Sequence, residues 1–259
     1  MSQSIELACF IKDVRRSSFP TFRGALVRAY VIVIMVLFSG CVTPQSEVTV
    51  SSANDFAEVD IVDIRQMIPD VALDIRYAGT NNFVGTSIEG YEAPKCLLLT
   101  QAAAALARAE ASLRKDGLRL KIFDCYRPVR AVKQFVRWAE DLNDQRMKSR
   151  FYPGLDKSQL LGEYIAPVSG HSRAATLDVT LMSCQGTSCE ELDMGTPFDF
   201  FDVRAHTDFA ELTPEQRKNR DRLRAALRAE GFENYAAEWW HYTFRPEPTP
   251  NVAYDIPIR

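Results

Sequence analysis

Residues 169–181 read Ser-Gly-His-Ser-Arg-Ala-Ala-Thr-Leu-Asp-Val-Thr-Leu, a loop-like segment followed by a strand-like one. Its second half, 176–181, alternates polar and apolar side chains, which is the period-two pattern of a β-strand. In such a strand the apolar residues face a core, and the polar ones, among them Asp178, point to the opposite side. We therefore expect a rigid strand that carries Asp178, preceded by a loop that carries His171.

A second informative segment is Glu238-Trp239-Trp240-His241, which precedes a strand-like Tyr-Thr-Phe at 242–244. His241 is expected to start that strand. In an ideal strand, residues three apart point to opposite faces, so Glu238 must lie in the preceding turn or at a bulge to share a site with His241. Trp239 and Trp240 are expected to fill the neighbouring core and exclude water.

His171, Asp178 and His241 together offer two imidazoles and one carboxylate. This set suits a catalytic Zn²⁺, which takes three protein ligands and keeps its fourth position for water. Glu238 is then placed to accept a proton from that water. Taken singly, Asp178 fits a solvent-facing strand carboxylate, and His241 fits an incidental histidine in an aromatic core. Because the chain has three histidines and two fall in these contexts, the combination favours a metal site.

Composition sets broad limits on the protein. With 259 residues, 46% of them hydrophobic, the chain is long enough to bury a core in one or two domains. The formal charge of −3 gives no reason to expect nucleic acid as a partner. Residues 1–40 carry five basic and two acidic residues, so their removal would take the charge from −3 to −6. We expect a mildly acidic, soluble mature protein.

The N-terminal region indicates export. Ten apolar residues, 29–38, follow Arg23 and Arg28. This stretch is shorter than the roughly 20 residues that cross a bilayer and is typical of a signal peptide. It ends in Phe38-Ser39-Gly40-Cys41, which resembles a bacterial lipobox, although Phe38 departs from the usual leucine-like residue. We predict a lipoprotein attached by Cys41 to a membrane at the periplasm or cell surface, with ordinary secretion as the alternative.

Three segments follow from this reasoning: a signal peptide at 1–40, a flexible Ser/Thr-rich tether at 41–57 and one catalytic domain at 58–259. The domain contains four cysteines, Cys96, Cys125, Cys184 and Cys189. In an exported protein they predict up to two disulfides, with three connectivities open. Cys184 and Cys189 are close enough to close a loop, and Cys96 with Cys125 would complete the set. A Cys₄ zinc site is the alternative, but the spacings lack Cys-x-x-Cys.

Helices and strands are predicted in clusters, which favours an α+β fold over a repeating βαβ unit. One helix is expected from an N-cap at Thr100 to near Gly117, and Pro128 opens a second. Thr213-Pro214-Glu215-Gln216 resembles a capping box for a third helix, which should end near Gly231. Strands are predicted at 59–63, 71–76, 118–123, 176–181 and 240–245.

Five segments, in this order along the chain, resemble the D-alanyl-D-alanine dipeptidases of the VanX type. They are 76–83 (Arg-Tyr-Ala-Gly-Thr-Asn-Asn-Phe), 124–128 (Asp-Cys-Tyr-Arg-Pro), Ser169-x-His171-x₆-Asp178, 195–199 (Gly-Thr-Pro-Phe-Asp) and Glu238-Trp-Trp-His241. The likeness covers roughly residues 58–255. These zinc enzymes are related in fold to D,D-carboxypeptidases and to the hedgehog signalling domain. The resemblance therefore implies a single α+β domain with a central, mainly antiparallel sheet flanked by helices.

The resemblance also implies the roles of the site residues. His171, Asp178 and His241 would bind one Zn²⁺. Glu238 would be the catalytic acid and base, and Arg127 would stabilise the negative charge of the transition state.

A free dipeptide carries an ammonium and a carboxylate that must be held. Asp199 matches the family position near the substrate amine, and Ser169 and Tyr77 are expected to add hydrogen bonds. Asp124 is a candidate to orient Arg127. The third histidine, His206, is assigned no role.

Two residues depart from the family pattern. Ala174 and Thr176 replace a glycine and an alanine of that pattern. If the glycine position requires a positive φ, alanine costs on the order of 1 kcal/mol there. Neither change removes a ligand or the base.

The sequence therefore predicts an exported zinc dipeptidase that hydrolyses D-alanyl-D-alanine in turnover of cell-wall peptidoglycan. Two alternatives remain at this point. One is a D,D- or L,D-carboxypeptidase that trims peptidoglycan stem peptides. The other is a non-enzymatic, metal-stabilised module that binds the cell wall.

Overall fold

The computed structural model of the protein describes residues 47–186 and 188–259. The predicted signal peptide 1–40, the predicted lipid anchor at Cys41 and the first part of the tether, 41–46, lie outside these residues. Across the two described ranges, no helix combines the length and apolar character needed to cross a membrane.

The described residues form short strands and helices. The strands are β1 (Thr49–Val50), β2 (Ile61–Asp63), β3 (Ala72–Leu73), β4 (Leu97–Leu99), β5 (Leu118–Asp124), β6 (Thr176–Gln185), β7 (Ser188–Glu191), β8 (Phe232–Asn234), β9 (His241–Phe244) and β10 (Val252–Ala253). The α-helices are α1 (Thr100–Arg114), α2 (Val129–Glu140), α3 (Lys148–Phe151) and α4 (Pro214–Ala229).

The central sheet has the strand order β3-β5-β6-β9-β8, and β7 pairs with the C-terminal part of β6, residues 182–185. β3 runs parallel to β5, and the other pairs are antiparallel. Helices α1 and α4 contact each other and the strands of this sheet. The prediction of an α+β domain with a mainly antiparallel sheet flanked by helices is confirmed.

Strand β6 lies in the middle of the sheet, and its first seven residues, 176–182, are buried on both faces. Its apolar side chains, at Leu177, Val179 and Leu181, are 0% exposed, as the alternation predicted. Its polar side chains are also buried, at Thr176, Asp178 and Thr180. The period-two pattern therefore separates the two faces correctly, but the polar face is enclosed by the protein instead of facing solvent.

The bounds of α1, α2 and α4 agree closely with the three predicted helices except at the start of α1, whereas the short α3 was not predicted. Leu99 is the N-cap, without a side-chain cap, and Thr100 is already the first helical residue. Strand β4 continues directly into α1, and the Thr100 hydroxyl donates to the Asp60 carboxylate instead of capping the helix. The capping box of α4 is confirmed: Thr213 accepts from the backbone of Gln216, and the Gln216 side chain accepts from that of Thr213.

The C-terminal part of the predicted tether is structured. Thr49 and Val50 pair in parallel with Val252 and Ala253, and Asp55 caps a 3-10 helix, Phe56–Glu58. The flexible-tether prediction therefore does not describe residues 49–57, because strand pairing and capping fix their backbone to the domain.

Two disulfides are present, Cys96–Cys125 and Cys184–Cys189. This is the pairing that the sequence favoured. The alternative of a Cys₄ zinc site is wrong, because none of the four thiols is free to bind a metal.

Candidate metal centre and active site

Three of the polar side chains lie side by side across the central sheet. Asp178 on β6 is paired directly with His241 on β9 and with Asp124 at the end of β5. Directly paired residues of antiparallel strands point to the same face, with Cβ atoms about 4.5–5.5 Å apart. Strand register therefore brings Asp178 and His241 together from distant parts of the sequence.

His171 reaches the same place from the loop before β6. It lies in a 3-10 helix, Gly170–Arg173, and its backbone N–H donates to Oγ of Ser169 at 3.3 Å. Ala174 follows with φ 57°, a left-handed conformation that turns the chain into β6. The condition considered for this position, a positive φ at a residue other than glycine, therefore holds.

The three candidate ligand atoms form a compact triangle. Nε2 of His171, Oδ1 of Asp178 and Nδ1 of His241 are separated by 3.4, 3.2 and 3.3 Å. Ligand atoms about 2.0–2.1 Å from a tetrahedral ion lie about 3.3–3.4 Å apart, so this triangle matches one face of such a tetrahedron. Oδ1 of Asp178 is buried and receives no well-oriented hydrogen bond from the described residues. The donor set therefore fits a metal ion.

Neighbouring groups orient the ring of His171 and determine the ionisation of Asp178. Nδ1 of His171 lies 2.7 Å from the carbonyl oxygen of Cys125, and because a carbonyl only accepts, Nδ1 carries a proton and Nε2 is the nitrogen directed at Asp178 and His241. Burial would raise the pKa of Asp178, but the adjacent imidazoles of His171 and His241 outweigh it and lower that pKa below its usual range. Asp178 is therefore ionised.

Glu238 lies in the turn that precedes β9, as the odd spacing required. Its backbone N–H donates to the carbonyl of Tyr235 at 3.0 Å, and its own carbonyl accepts from Asn234. Oε2 of Glu238 is 3.4 Å from Nδ1 of His241. Burial raises the pKa of Glu238 to about 7, and the charge of Asp178 acts in the same direction. A carboxylate with this pKa can both accept and return a proton near neutral pH.

The two tryptophans hold this turn. Trp239 and Trp240 are 2% and 1% exposed, and Nε1 of Trp239 donates to the Thr196 hydroxyl at 2.8 Å. The ring of Trp240 lies edge-on to Phe198, with centroids 5.5 Å apart. The expectation that they fill the neighbouring core is confirmed.

Arg127 is fixed beside the metal ligands. Its Nε and Nη2 donate to Oδ2 of Asp124 at 3.0 and 2.8 Å, and Nη2 is 3.6 Å from Oδ2 of Asp178. Its guanidinium lies over the rings of Tyr77 and Phe135, 5.0 and 5.1 Å from their centroids. The candidate role of Asp124 in orienting Arg127 agrees with this geometry.

Asp199 and Tyr77 contact each other. The Tyr77 hydroxyl donates to the Asp199 carboxyl group, at 3.0 Å from Oδ2 and 3.2 Å from Oδ1. Burial raises the pKa of Asp199 well above its usual value, and the charge of Asp178 adds to this effect. A bound cation would offset both causes, so Asp199 is suited to an ammonium group.

The eight residues that were assigned to metal binding, catalysis or substrate binding line one pocket of about 310 Å³. They are Tyr77, Arg127, Ser169, His171, Asp178, Asp199, Glu238 and His241. Phe83, Phe135 and Phe201 form an apolar wall of the pocket, and residues 162–166 form another of its walls. The volume is at the lower end of the range for small-ligand clefts, about 300–1,000 Å³.

Some supporting groups had no recognisable signal in the sequence. The Tyr91 hydroxyl donates to Oδ1 of Asp124 at 2.7 Å, although Tyr91 belongs to none of the five segments. The carbonyl of Cys125 acts through its backbone, which the identity of a residue does not reveal. His206, which was given no role, does not line the pocket.

The fold and the site define a metal-dependent hydrolase: a His-Asp-His set, with His171 and Asp178 buried and His241 partly exposed, and an adjacent glutamate in a small cleft. The family model described as D-ala-D-ala dipeptidase, Peptidase M15, matches residues 57–258. The chain belongs to this family and is a metallopeptidase.

Similar proteins support this assignment. A D-alanyl-D-alanine dipeptidase of Streptomyces coelicolor is 38% identical over 205 residues, which cover 79% of this chain and 98% of that protein. The D-alanyl-D-alanine dipeptidase of Enterococcus faecium is 34% identical and covers 78% of this chain and 100% of its own length. That of Escherichia coli is 31% identical, with 71% and 83% covered.

Proposed function

We propose that this protein hydrolyses D-alanyl-D-alanine to two molecules of D-alanine, using a Zn²⁺ ion held by His171, Asp178 and His241. The observation that carries the proposal is the meeting of this ligand set, Glu238 and Arg127 in one small pocket. Further support comes from the relatives named as D-alanyl-D-alanine dipeptidases, because the chain spans 83–100% of the three described above.

Zinc suits the site because it accepts imidazole nitrogen and carboxylate oxygen in a four-coordinate arrangement. When bound, it supplies Lewis-acid chemistry, lowering the pKa of water toward 7 and polarising the scissile carbonyl.

In this proposal, Glu238 moves the proton of the reaction. It takes a proton from the attacking water and returns it to the nitrogen of the leaving D-alanine. Its position 3.4 Å from Nδ1 of His241 keeps it beside the metal ligands, and burial, which raises the pKa of Glu238 to about 7 in the metal-free protein, favours its acceptance of a proton.

Arg127 and Asp199 bind opposite charges of the substrate. Arg127 carries a permanent positive charge that Asp124 aims into the pocket, where it stabilises the oxyanion of the transition state. Asp199 receives the ammonium of the dipeptide, with Tyr77 holding its carboxyl group. Ser169, on the pocket wall, adds a hydrogen bond to the substrate.

A substrate panel tests the activity. The purified protein, loaded with Zn²⁺, is offered D-Ala-D-Ala, L-Ala-L-Ala, N-acetyl-D-Ala-D-Ala and a stem pentapeptide, and free alanine is measured. A dipeptidase releases alanine from D-Ala-D-Ala and loses activity when the amine is acetylated. Faster release from the pentapeptide would instead identify a carboxypeptidase.

Glu238→Gln separates the enzyme from a metal-stabilised binding module. The variant keeps the shape of the side chain but cannot accept the proton, so we expect kcat to fall by about 10²–10⁴ while the zinc content stays unchanged. Glu233→Gln, an exposed residue of β8, is the control and should retain full activity. Undiminished turnover in Glu238→Gln would reject the assigned role.

We further propose that the enzyme acts outside the cytoplasm, attached by lipid at Cys41, and recycles dipeptide released during cell-wall turnover. The signal-like segment at 29–38, the lipobox-like sequence before Cys41 and the two disulfides support this location. Replacing Cys41 with serine should move the protein from the membrane to the soluble fraction. An unchanged distribution would contradict the anchor.

A further inference from the structure

The turn between β5 and α2, residues 124–127, supplies several groups around the metal ligands. The Asp124 carboxylate holds Arg127, and the Cys125 carbonyl accepts from Nδ1 of His171 at 2.7 Å. The backbone N–H of Arg127 also donates to the carbonyl of His171 at 3.3 Å. None of these contacts belongs to a strand ladder, and the pairing of β5 with β6 is irregular between Ile122 and Asp124. The sheet alone therefore does not fix the turn.

A disulfide joins the centre of this turn to another layer of the protein. Cys125 and Cys96 are 1% and 0% exposed, and Cys96 directly precedes β4. The carbonyl of Cys96 accepts from the backbone of Ile64, and that of Leu97 accepts from the backbone of Tyr126, both at 3.0 Å. The cross-link therefore attaches the turn to the buried β2–β4 pair.

We propose that the Cys96–Cys125 disulfide is a positioning element of the metal centre. It fixes the Cys125 carbonyl, which in turn holds the His171 ring with Nε2 directed at Asp178 and His241. Groups that orient a metal-binding histidine typically contribute 10–100-fold to metal affinity or activity. The inference rests on the proposed binding of zinc by these residues.

Other contacts keep the turn folded when the disulfide is absent. The Tyr126 hydroxyl donates to the carbonyl of Ile256 at 3.0 Å and accepts from its N–H at 2.8 Å. These bonds hold the chain one residue after Cys125. The direction of the Cys125 carbonyl depends instead on its own peptide unit, because the N–H of that unit, at Tyr126, donates to the carbonyl of Leu97, the residue next to Cys96. Loss of the cross-link is therefore expected to disturb the position of the His171 ring more than the stability of the fold.

The second disulfide provides a matched control. Cys184 and Cys189 are directly paired across β6 and β7, at the end of β6 opposite to Asp178. Neither cysteine lines the pocket, and Cys189 is exposed. Removing this cross-link also deletes two sulfur atoms, but it leaves the turn at 124–127 unchanged.

The test compares the double variants Cys96→Ala/Cys125→Ala and Cys184→Ala/Cys189→Ala with the unmodified full chain. Zinc affinity is measured by competition with a chromogenic chelator, the ligand geometry by the absorption bands of the Co²⁺-loaded proteins, and kcat and KM with D-Ala-D-Ala. All of these quantities are measured under conditions in which circular dichroism shows that each protein is folded. We expect the first variant to lose at least about 10-fold in zinc affinity and to shift its Co²⁺ bands. The second should stay within twofold of the unmodified protein.

A folded Cys96→Ala/Cys125→Ala protein with unchanged zinc affinity and Co²⁺ bands would overturn the inference, even if its stability fell. Should the double variant not fold, the single variant Cys96→Ala, which retains the Cys125 side chain, takes its place. Failure of both to fold would assign the cross-link to stability alone and would also overturn the inference. An unmodified protein that binds no zinc would instead contradict the proposed function.

Discussion

At the scale of single residues, the most informative backbone feature is the positive φ of Ala174 and Asp199, 57° and 59°. A Cβ in this region costs about 1 kcal/mol that glycine avoids. Both residues lie next to the site, one after the His171 loop and the other at the pocket wall. The protein therefore accepts local strain where its ligand and its candidate ammonium-binding group are placed.

A pair of neighbouring variants measures this strain. Ala174→Gly and Ala175→Gly each remove one fully buried methyl group, but positive φ occurs only at Ala174. We expect Ala174→Gly to be more stable than Ala175→Gly by about 1 kcal/mol in the free energy of unfolding, from urea denaturation. Equal stabilities would show that Ala174 is not strained.

Arg127→Ala should reduce turnover, because the oxyanion of the transition state loses its positive partner. Removing a fixed charge that faces the developing oxyanion typically costs about 10²–10³ in kcat. Steady-state kinetics with D-Ala-D-Ala measure the loss. Arg130→Ala is the control, because Arg130 pairs with Asp255 and does not line the pocket. A similar loss in both variants would indicate a general disturbance of α2 and not a role for Arg127.

At the scale of elements, helix α4 connects to the site through Arg220. This side chain is 1% exposed, and it donates to the carbonyls of Met194, Arg204 and His206 at 2.7, 3.0 and 2.6 Å. Burial lowers the pKa of Arg220 to about 10, so it remains charged at neutral pH. One helix residue thus secures both ends of the segment that carries Asp199.

Arg220→Met is expected to destabilise the protein by roughly 3 kcal/mol, because three buried carbonyls lose a charged donor. KM for D-Ala-D-Ala should rise as well, since Asp199 would be held less firmly. Urea denaturation and steady-state kinetics provide the two values. Arg222→Met, an exposed change on the same helix, should alter neither. A variant as stable as the unmodified protein would show that Arg220 does not secure the segment.

At the scale of the whole molecule, the three ligands come from a loop and two strands, so metal binding should stabilise the entire domain. At a free zinc concentration 100 times the Kd, the expected gain is about 2.7 kcal/mol. Thermal unfolding with and without chelator measures it. His241→Ala should abolish the gain, and His206→Ala should retain it. A gain that survives in His241→Ala would place the metal elsewhere.

The zinc-dependent gain should depend on pH. Burial would lower the pKa of His241, but the adjacent carboxylate of Asp178 raises it above its ordinary value of 6.5. Zinc must displace this proton, so the gain is full at high pH and is lost as pH falls through the raised pKa. In the metal-free protein, the contribution of His241 to the free energy of unfolding has the opposite pH dependence. Protonated His241 stabilises the fold at low pH, and this contribution is lost as pH rises through the raised pKa. A pH-independent gain between pH 5 and 8 would contradict this assignment.

Much of the site could be predicted because its ligands are side chains in recognisable segments. Strand alternation gave the direction of Asp178, and the odd spacing of Glu238 and His241 required a turn that the structure contains. Strand order was not predictable, because the pairing of Asp178 with both Asp124 and His241 depends on long-range register. The cap of α1 was misplaced because tertiary contact with Asp60 engages the Thr100 hydroxyl.

The pairing of Thr49 with Val252 determines how far the domain could move from an anchoring membrane. Eight peptide steps separate Cys41 from Thr49, and a fully extended chain covers at most about 29 Å over that length. A domain of this size has a radius of gyration of roughly 17 Å, so the available contour length is less than one domain diameter. A lipid on Cys41 would thus confine hydrolysis to a thin layer at the bilayer surface.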